Sequence, residues 1–326
     1  MATIKDVARE SGLTVTTVSR VLNNRGYISD DARKKVADAM RKLNYQPNEV
    51  ARSLHKKSTK TIGVIVPHIR HPYFAEMISN LENAAYKKGY RILLCNTQGK
   101  QEKAKEYIEI CTSNRVAGII LFSGMVEVEP FIKMEIPVIT MERLLDNGTA
   151  SVECDNRTGG ALAAKKLIAG GCRNLIMIGS TNVAVELPAD QRGIGFREVC
   201  SQHGIGYVEL DPEETAYNNM TYQEMLEAAL KEYPQTDGVF ASSDVIAAQT
   251  LQVCNRLGIA VPQQMKIVGF DDVMLAQLTT PQLTTIHQPI KEMAETAVRL
   301  LVDAAEGLLV AKQTVLPVQL VERGTA

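Results

Sequence analysis

The chain has 326 residues, of which 45% are hydrophobic and 22% are charged, and its formal net charge is −1 at pH 7. This length allows more than one domain with a large core, and the composition is ordinary for a globular protein. Because no apolar run approaches a membrane-spanning length and the N-terminus has no apolar signal region, we expect a cytoplasmic protein rather than a membrane or secreted one.

The first 22 residues predict two short helices joined by a tight turn. Thr3 is placed to cap a helix over 4–10, and Gly12 ends that helix. Thr14 caps a second helix over 15–22. This order indicates a helix-turn-helix, whose second helix lies in the major groove of DNA.

The second helix has an apolar face and a polar face. Val18, Val21 and Leu22 recur at three- and four-residue spacing, which predicts that they pack inward. The opposite face carries the remaining side chains, namely Val15, Thr16, Ser19 and Arg20. Taken alone, this pattern also fits a small helical bundle with a polar surface, so the interpretation needs further support.

The charge distribution supports the DNA-binding interpretation. Ser29 caps a third helix over 30–44, and a short helix over 49–56 follows, capped by Asn48. Up to Lys60 the chain has 13 basic and 6 acidic residues, a net charge of +7, whereas the remainder has 23 basic and 31 acidic residues, a net charge of −8. A basic head on an acidic body indicates that the head binds nucleic acid.

From residue 61 onward, predicted strands and helices alternate. Strands are predicted over 61–67, 90–95, 118–122, 136–140, 174–179, 238–241, 266–270 and 313–320. Helices are predicted over 72–88, 101–114, 128–134, 157–170, 192–203, 222–232, 245–257 and 290–306. The first strand has no polar alternation, as expected for a strand buried on both faces. The series predicts an α/β fold with parallel sheets covered by helices on both faces, repeated in two similar halves.

Three segments resemble the head of the LacI/GalR family of transcription regulators. They read Thr-Ile-Lys-Asp-Val-Ala at 3–8, Thr-Val-Ser-Arg-Val-Leu-Asn at 17–23, and Asn-Tyr-Gln-Pro-Asn at 44–48 followed by Ala-Arg-Ser-Leu at 51–54. Residues 23–29 look most like regulators of sucrose and related oligosaccharide operons. The two α/β halves resemble the two-lobed periplasmic-binding-protein fold, with a cleft between the lobes.

The resemblance implies a domain organisation. It places an all-α helix-turn-helix head at 1–47, a hinge helix and linker at 48–60, and a two-lobed effector-binding and dimerisation core at 61–326. Lobe 1 is expected over about 61–153 and 289–312, and lobe 2 over about 156–286 and 313–326. The chain is expected to cross between the lobes three times, near 152–155, 285–289 and 313–317.

The groove-facing side chains and the resemblance give candidate DNA contacts. Arg20 can bind guanine O6 and N7 in a bidentate contact, and Thr16 and Val15 can pack on thymine methyl groups. Other residues are expected to hold phosphates and set the register, namely Thr3, Thr14, Thr17, Asn23 and Tyr45. In the hinge helix, the resemblance makes Leu54 a wedge between base pairs of the minor groove, and Asn48 and His55 are expected to lie at the DNA beside it. Because one head covers one half-site, we expect a homodimer on a palindromic double-stranded operator.

Ligands of open parallel sheets bind beyond the carboxyl ends of the strands. Asp271 and Ser243 follow two predicted strands, and Asp155 lies at the first expected crossing. Carboxylates can accept hydrogen bonds from sugar hydroxyls, and an arginine can donate to sugar oxygens. The resemblance adds further effector contacts, namely Arg192 in the run Arg-Gly-Ile-Gly-Phe, Tyr217, and the lobe 1 wall residues Ile69, Tyr73 and Phe74.

Other reactive groups are expected to be structural. Asp244 and Asp272 are expected to cap helices. The six cysteines are scattered, so we expect buried free thiols in a reducing compartment. There is no P-loop, no Gly-x-Ser-x-Gly and no metal-binding spacing among the five histidines, so we expect no enzyme, no metal and no cofactor.

Together these features predict a sequence-specific DNA-binding regulator, a repressor of a sugar-utilisation operon controlled by a small sugar or sugar phosphate between the lobes. Two alternatives stay open. One is a catabolite-control regulator that uses a phosphocarrier protein as co-repressor, and the other is a sugar-binding protein without a regulatory role. The sequence does not decide whether the effector releases or promotes DNA binding.

Overall fold

The computed structural model describes residues 2–23, 25–46, 59–122, 136–143, 148–179 and 187–326. The chain divides into two units, Met1–Thr59 and Lys60–Ala326. Among the residues described, no helix combines the length and hydrophobicity that a membrane span requires. The hinge helix predicted over 49–56 and the helix predicted over 128–134 lie outside the described residues.

Over residues 2–23 and 25–46, the first unit contains three helices: α1 (Ile4–Ser11), α2 (Val15–Asn23) and α3 (Asp30–Lys42). Gly12 ends α1 in the left-handed conformation, with φ of 67°, which glycine adopts without a steric penalty. Ser29 caps α3 by accepting a hydrogen bond from the Ala32 amide at 3.3 Å. The helices pack around five buried side chains, those of Val7, Ala8, Val18, Val36 and Ala39.

The second unit alternates strands and helices. Its strands are β1 (Thr61–Val66), β2 (Arg91–Asn96), β3 (Gly118–Phe122), β4 (Val138–Met141), β5 (Ala150–Cys154), β6 (Asn174–Ile178), β7 (Gly206–Leu210), β8 (Gly238–Ala241), β9 (Lys266–Asp271), β10 (Thr284–His287), β11 (Gln313–Leu316) and β12 (Gln319–Val321). The helices in its described segments are α4 (Pro72–Lys87), α5 (Gln101–Ser113), α6 (Asn156–Ala169), α7 (Gln191–His203), α8 (Glu214–Asn219), α9 (Gln223–Glu232), α10 (Asp244–Leu257), α11 (Met274–Leu278) and α12 (Ile290–Ala305).

The strands form two six-stranded sheets, which define the two lobes. The sheet of lobe 1 has the order β11-β5-β4-β3-β1-β2, and the sheet of lobe 2 has the order β12-β10-β9-β8-β6-β7. The chain passes from one sheet to the other after β5, after β10 and between β11 and β12. The predicted α/β fold with a helical head is confirmed. Residues 62–66 of β1 are all buried, as the apolar run predicts, and all six cysteines are buried and free.

The C-terminal segment differs from its prediction. We expected one strand over 313–320 in lobe 2, but β11 pairs with β5 in lobe 1 and β12 pairs antiparallel with β10 in lobe 2. Pro317 lies between the two strands and has no N–H to continue a ladder. The run is therefore divided between the sheets, and the sheet of lobe 2 has one antiparallel edge.

Three strands and two short helices were not predicted: β5, β7, β10, α8 and α11. Strands β5 and β10 occupy segments that we expected to be crossings. Their polar residues, among them Ser151, Glu153, Thr284 and Thr285, interrupt the apolar signal, yet all four are buried. Pairing with neighbouring strands, rather than local composition, determines these two strands.

Candidate functional site

The exposed face of α2 presents the side chains expected to face the major groove. Thr16 and Arg20 are exposed, as is Val15, whereas Val18 is fully buried in the core of the head. Ser19 is half-buried. Within the head, α2 therefore has the predicted inner face. Its outer face leaves Arg20, the apolar Val15 and the polar Thr16 accessible, which is the arrangement that a recognition helix needs.

The residues expected to hold phosphates have local partners in the head. Thr14 Oγ1 accepts a hydrogen bond from the Thr17 amide at 3.1 Å, so it caps α2. The Thr3 amide and hydroxyl donate to Asp6 Oδ2 at 2.9 and 2.7 Å, and Asn23 Nδ2 donates to the Ser19 carbonyl at 2.8 Å. Tyr45 packs against the buried core of the head. Asn48, Leu54 and His55 lie outside the described residues.

In the second unit, Arg192 is the centre of a buried polar network. Its Nε donates to Asn156 Oδ1 at 2.8 Å, and its Nη1 donates to the Ser242 carbonyl at 2.7 Å. The guanidinium carbon lies 3.7 Å from the centre of the Phe270 ring, a distance at which a cation and an aromatic face attract each other. Within the part of the chain that the structure describes, three of its five N–H bonds remain for other acceptors.

Glycines in α6 and α7 determine where Arg192 lies. A Cβ added to Gly160 of α6 would lie 1.8 Å from the Arg192 carbonyl oxygen, and a Cβ added to Gly195 of α7 would lie 1.9 Å from the Arg157 carbonyl oxygen. Neither distance is compatible with a side chain, so the two helices make backbone-to-backbone contact at both positions. This contact places the start of α7, and with it Arg192, against the network.

Asp271 ends β9 beside Arg192 and is strained. Its φ is 118°, a conformation that costs free energy for any residue but glycine and is concentrated at functional sites. Oδ1 accepts a hydrogen bond from Gln288 Nε2 at 2.7 Å, whereas Oδ2 is buried and has no partner among the residues that the structure describes. Burial raises the pKa of Asp271 to about 7, although Arg192 and Gln288 oppose this shift.

Glu142 and Asn156 belong to the same network, and the sequence did not point to them. Glu142 Oε1 accepts from the Cys154 amide at 2.7 Å, and Oε2 accepts from Asn156 Nδ2 at 2.6 Å. Burial raises the pKa of Glu142, and the charge of Arg192 lowers it. Glu142 directly follows β4, so the rule that ligands bind at the carboxyl ends of strands could have identified it.

Side chains after β1 form the lobe 1 part of the site. His71 Nδ1 accepts from the Tyr73 amide at 3.3 Å and so caps α4. Burial lowers the pKa of His71 to about 4, and the charges of His68 and Arg192 add to this shift. The Tyr73 hydroxyl is buried and has no hydrogen-bond partner in the described segments, and burial raises the pKa of Tyr73. Phe74 is buried edge-on to His71.

Tyr217 of lobe 2 also lies near this group, because the charges of Asp271 and Arg192 act on it. Although 44% of Tyr217 is exposed, partial desolvation of its ring raises its pKa, which Asp271 also raises and Arg192 lowers. The structure thus brings together four of the predicted effector residues, namely Tyr73, Arg192, Tyr217 and Asp271. Ile69, on the loop after β1, is 41% exposed.

Two further predicted effector residues act as helix caps here. Asp155 accepts from the Thr158 amide at 3.0 Å and from its hydroxyl at 2.7 Å, at the start of α6. Ser243 Oγ accepts from the Ile246 amide at 3.3 Å, at the start of α10. Their side-chain oxygens satisfy helix N–H groups, so a contact between either residue and an effector stays a prediction.

The expectation that Asp244 and Asp272 cap helices is wrong. Ser243 occupies the cap of α10, and the buried Asp244 carboxylate instead accepts from the Thr285 hydroxyl at 2.6 Å and the Val273 amide at 3.0 Å. Asp272 pairs with Arg323 at 2.5 Å and with His287 Nδ1 at 3.0 Å. Both carboxylates therefore join segments that are distant in the sequence, which no local pattern could indicate.

Models of two protein families match the chain. Bacterial regulatory proteins of the lacI family match residues 3–48, and a periplasmic-binding-protein-like domain matches residues 164–326. The chain is 35% identical over 307 residues to the ribose operon repressor of Halalkalibacterium halodurans, with 94% of this chain and 91% of the relative covered. It is 36% identical to the sucrose operon repressor of Streptococcus mutans, with 98% of each chain covered.

Solved structures show the same fold. The lac repressor dimer bound to operator and the anti-inducer ONPF has a TM-score of 0.87 at 23% identity, with 99% of this chain and 98% of that chain covered. A periplasmic binding protein/LacI transcriptional regulator from Alkaliphilus metalliredigens, complexed with D-xylulofuranose, has a TM-score of 0.73 at 33% identity, with 82% of this chain and 99% of that chain covered.

Proposed function

We propose that the chain, which belongs to the lacI family of bacterial regulatory proteins, represses a sugar-utilisation operon. In this proposal a homodimer binds a palindromic operator through its two heads and responds to a small sugar bound between the lobes. Its relatives are named ribose and sucrose operon repressors, so we propose a regulator without enzymatic activity. It acts in the cytoplasm, where bacterial operators lie.

The observation that carries this proposal is the presence of two distinct sites in one chain. The head exposes Val15, Thr16 and Arg20 on one face of α2 and buries the opposite face. The second unit surrounds Arg192 with buried polar atoms, and three of these, on Asp271, Gln288 and Tyr73, have no partner among the described residues. Because buried polar atoms in native proteins are nearly always paired, unpaired ones indicate a ligand site.

In the proposed DNA contact, Arg20 binds guanine through a bidentate hydrogen bond, and Val15 and Thr16 contact neighbouring bases. The hydroxyls of Thr3, Thr14 and Thr17 hold phosphates, which fixes the register but reads no sequence. The net charge of +7 over the first 60 residues supports strong, salt-dependent attraction to the duplex. We also propose that residues 48–60 form the minor-groove element, with Leu54 as its wedge.

In the proposed response, the sugar binds around Arg192 and contacts side chains of both lobes. The lobes are joined at three chain crossings, so a ligand held by both stabilises one arrangement of the lobes. The change in operator affinity is then limited by the difference between the sugar's affinities for the two arrangements. The direction of the response follows from which arrangement the heads need on the operator.

The test is a fluorescence-anisotropy titration of a labelled palindromic duplex with the full chain, with and without a panel of sugars, against a scrambled duplex as control. Salt-sensitive, operator-specific binding that one sugar changes is the expected result. Operator binding that no sugar changes would keep the repressor and remove sugar control, in favour of a protein co-repressor. Equal binding to both duplexes would favour a sugar-binding protein without a regulatory role.

A further inference from the structure

We infer that the ligand between the lobes is an uncharged polyol, a free sugar whose hydroxyls donate to Asp271 and Gln288, and not a sugar phosphate. The inference rests on the proposed function, because it specifies the chemical class of the effector. It is carried by the unpaired atoms and the balance of charge around Arg192.

Two neighbouring acceptor atoms have no donor in the described ranges of the chain. Asp271 Oδ2 and Gln288 Oε1 are buried and unpartnered, and the two residues are 3% and 1% exposed. The bond from Gln288 Nε2 to Asp271 Oδ1, at 2.7 Å, fixes the orientation of the amide, because only its NH₂ group can donate to a carboxylate. An acceptor left unpaired in a buried place costs free energy. A ligand that brings two hydroxyl donors removes that cost.

The other polar atoms near this pair also suit a polyol. The Tyr73 hydroxyl is buried without a partner and can donate or accept. It lies within electrostatic range of Asp271 and Arg192. Arg192 keeps three N–H bonds beyond those to Asn156 and Ser242, and these can donate to hydroxyl or ring oxygens. The site therefore offers acceptors and donors together, which matches hydroxyl groups.

The charge balance disfavours a phosphate. Arg192 is the buried cation of the network, and two buried carboxylates, Asp271 and Glu142, lie within its electrostatic range. His71 is neutral near pH 7 because burial lowers its pKa to about 4. Arg70 on the nearby loop is exposed to solvent. With Glu142 ionised, these buried groups carry no net positive charge whether Asp271 is ionised or protonated. Among the described residues, a phosphate dianion would therefore lose water without gaining an uncompensated buried cation.

The first test compares matched pairs by isothermal titration calorimetry with the full chain: D-ribose with D-ribose 5-phosphate, D-fructose with D-fructose 6-phosphate, and sucrose with sucrose 6-phosphate. We expect one free sugar to bind and its phosphate ester to bind at least about tenfold more weakly. An ester that binds as tightly as its parent sugar overturns the inference but leaves a sugar-responsive repressor standing. If nothing in the panel binds, the inference and the proposed class of effector both fail.

The second test removes the charge of one carboxylate. In Asp271→Asn, we expect free-sugar affinity to fall about tenfold and the disadvantage of the ester to narrow about fivefold. Asp272→Asn is the matched control, because the Asp272 carboxylate is already paired with Arg323 and His287. This variant should leave the ratio of free-sugar affinity to ester affinity unchanged. An unchanged ratio in Asp271→Asn overturns the inference. If Asp271→Asn does not fold, Gln288→Met is tested in its place, and we expect it to bind the free sugar more weakly than the wild type. A free-sugar affinity equal to that of the wild type would then overturn the inference.

Discussion

His68 of lobe 1 and Asn218 of lobe 2 are joined by a hydrogen bond of 2.9 Å between Nε2 and Oδ1. Because a carbonyl oxygen can only accept, the imidazole carries its proton on Nε2 in this contact. Two neighbours reinforce it. The His68 ring lies edge-on to Tyr217 at 5.9 Å, and a Cβ on Gly99 would lie 3.0 Å from Asn218 Oδ1. Asn218 thus contacts two loops of lobe 1, and it holds the lobes together.

We expect Asn218→Ala to weaken sugar binding roughly threefold to tenfold, because a typical hydrogen bond contributes about 0.5–1.5 kcal/mol. The loss would appear mainly as faster sugar dissociation, since the lobes separate more readily. Calorimetry and stopped-flow release with the sugar found in the operator titration measure both quantities. Asn219→Ala is the control, because Asn219 is the next residue and is exposed. Equal effects of the two variants would contradict a specific role for the His68 contact.

The close contact of α6 with α7 predicts that Gly160 tolerates no side chain. Gly160→Ala places a Cβ against the Arg192 carbonyl oxygen, so the helices must separate, at a cost of about 3 kcal/mol or more. We expect a lower free energy of unfolding in urea and, where the variant folds, a loss of sugar binding through displacement of Arg192.

Gly206→Ala is the matched control for this effect. Gly206 has nothing within 4 Å of an added Cβ and no left-handed φ, so this variant should be close to wild type in stability and sugar affinity. If Gly160→Ala were as stable as Gly206→Ala, the backbone contact between α6 and α7 would not determine the position of Arg192.

The central strands and the head could be predicted because their signals are local. The buried run at Thr61–Val66 and the inward spacing of Val18 need only neighbouring residues to interpret. Pro317 was equally visible, but its effect depends on two sheets that compete for one segment, so the division into β11 and β12 could not be read from a local pattern. The same limit applies to β5 and β10, whose polar residues are buried by pairing.

The residues of the candidate site also fall into those that the sequence could predict and those that only the structure identifies. Asp271 was found because it follows an obvious strand, and Arg192 because its motif resembles a family pattern. Glu142 and Asn156 meet through the pairing of β4 with β5, and Gln288 reaches Asp271 from the crossing after β10. These partners lie far apart in the sequence, so only the folded chain brings them together.

The buried His71 predicts a pH dependence of stability. Its pKa is lowered to about 4 in the folded protein, against about 6.5 when unfolded. Below pH 6.5 the unfolded state binds a proton at His71 that the folded state does not bind. The contribution of His71 to the free energy of unfolding is therefore complete above pH 6.5 and is lost as the pH falls towards 4. The full loss is about 3 kcal/mol.

The test compares the wild type with His71→Asn, since asparagine can still cap α4. The stability difference between the two in urea should shift by about 3 kcal/mol between pH 7 and pH 4, to the disadvantage of the wild type. The raised pKa of Asp271 acts in the opposite direction over this range, but it is common to both proteins and cancels in the difference. A difference that does not vary with pH would contradict the assignment to His71.

Arg20 is expected to read a base. Arg20→Ala should weaken operator binding by about 1–3 kcal/mol and reduce the preference for guanine at one position of each half-site. Arg41→Ala on α3 removes another exposed positive charge, which is paired with Asp38. This variant should have a smaller, sequence-independent effect. Anisotropy titrations with single-base operator variants distinguish these outcomes. Uniform weakening on all duplexes would instead identify Arg20 as a phosphate contact.

Arg192→Lys is expected to separate sugar sensing from DNA binding. Lysine keeps the charge, but it cannot donate to both Asn156 and Ser242 while its charge lies flat over Phe270. We expect Arg192→Lys to lower sugar affinity by about 3 kcal/mol, roughly 100-fold, and to leave operator affinity without sugar within about twofold. The variant would therefore stay in its sugar-free state at sugar concentrations that switch the wild type.

Arg197→Lys is the matched control for Arg192→Lys, because Arg197 lies on the same helix and pairs with Glu209 at 3.1 Å, a contact that lysine can keep. Operator titrations across a range of sugar concentrations should show a normal response in Arg197→Lys and, in Arg192→Lys, a response shifted roughly 100-fold to higher sugar concentration. A normal response in both variants would remove Arg192 from the effector site. Loss of operator binding in Arg192→Lys would show that the residue serves the stability of the whole chain, since the head carries the DNA contact and is a separate unit.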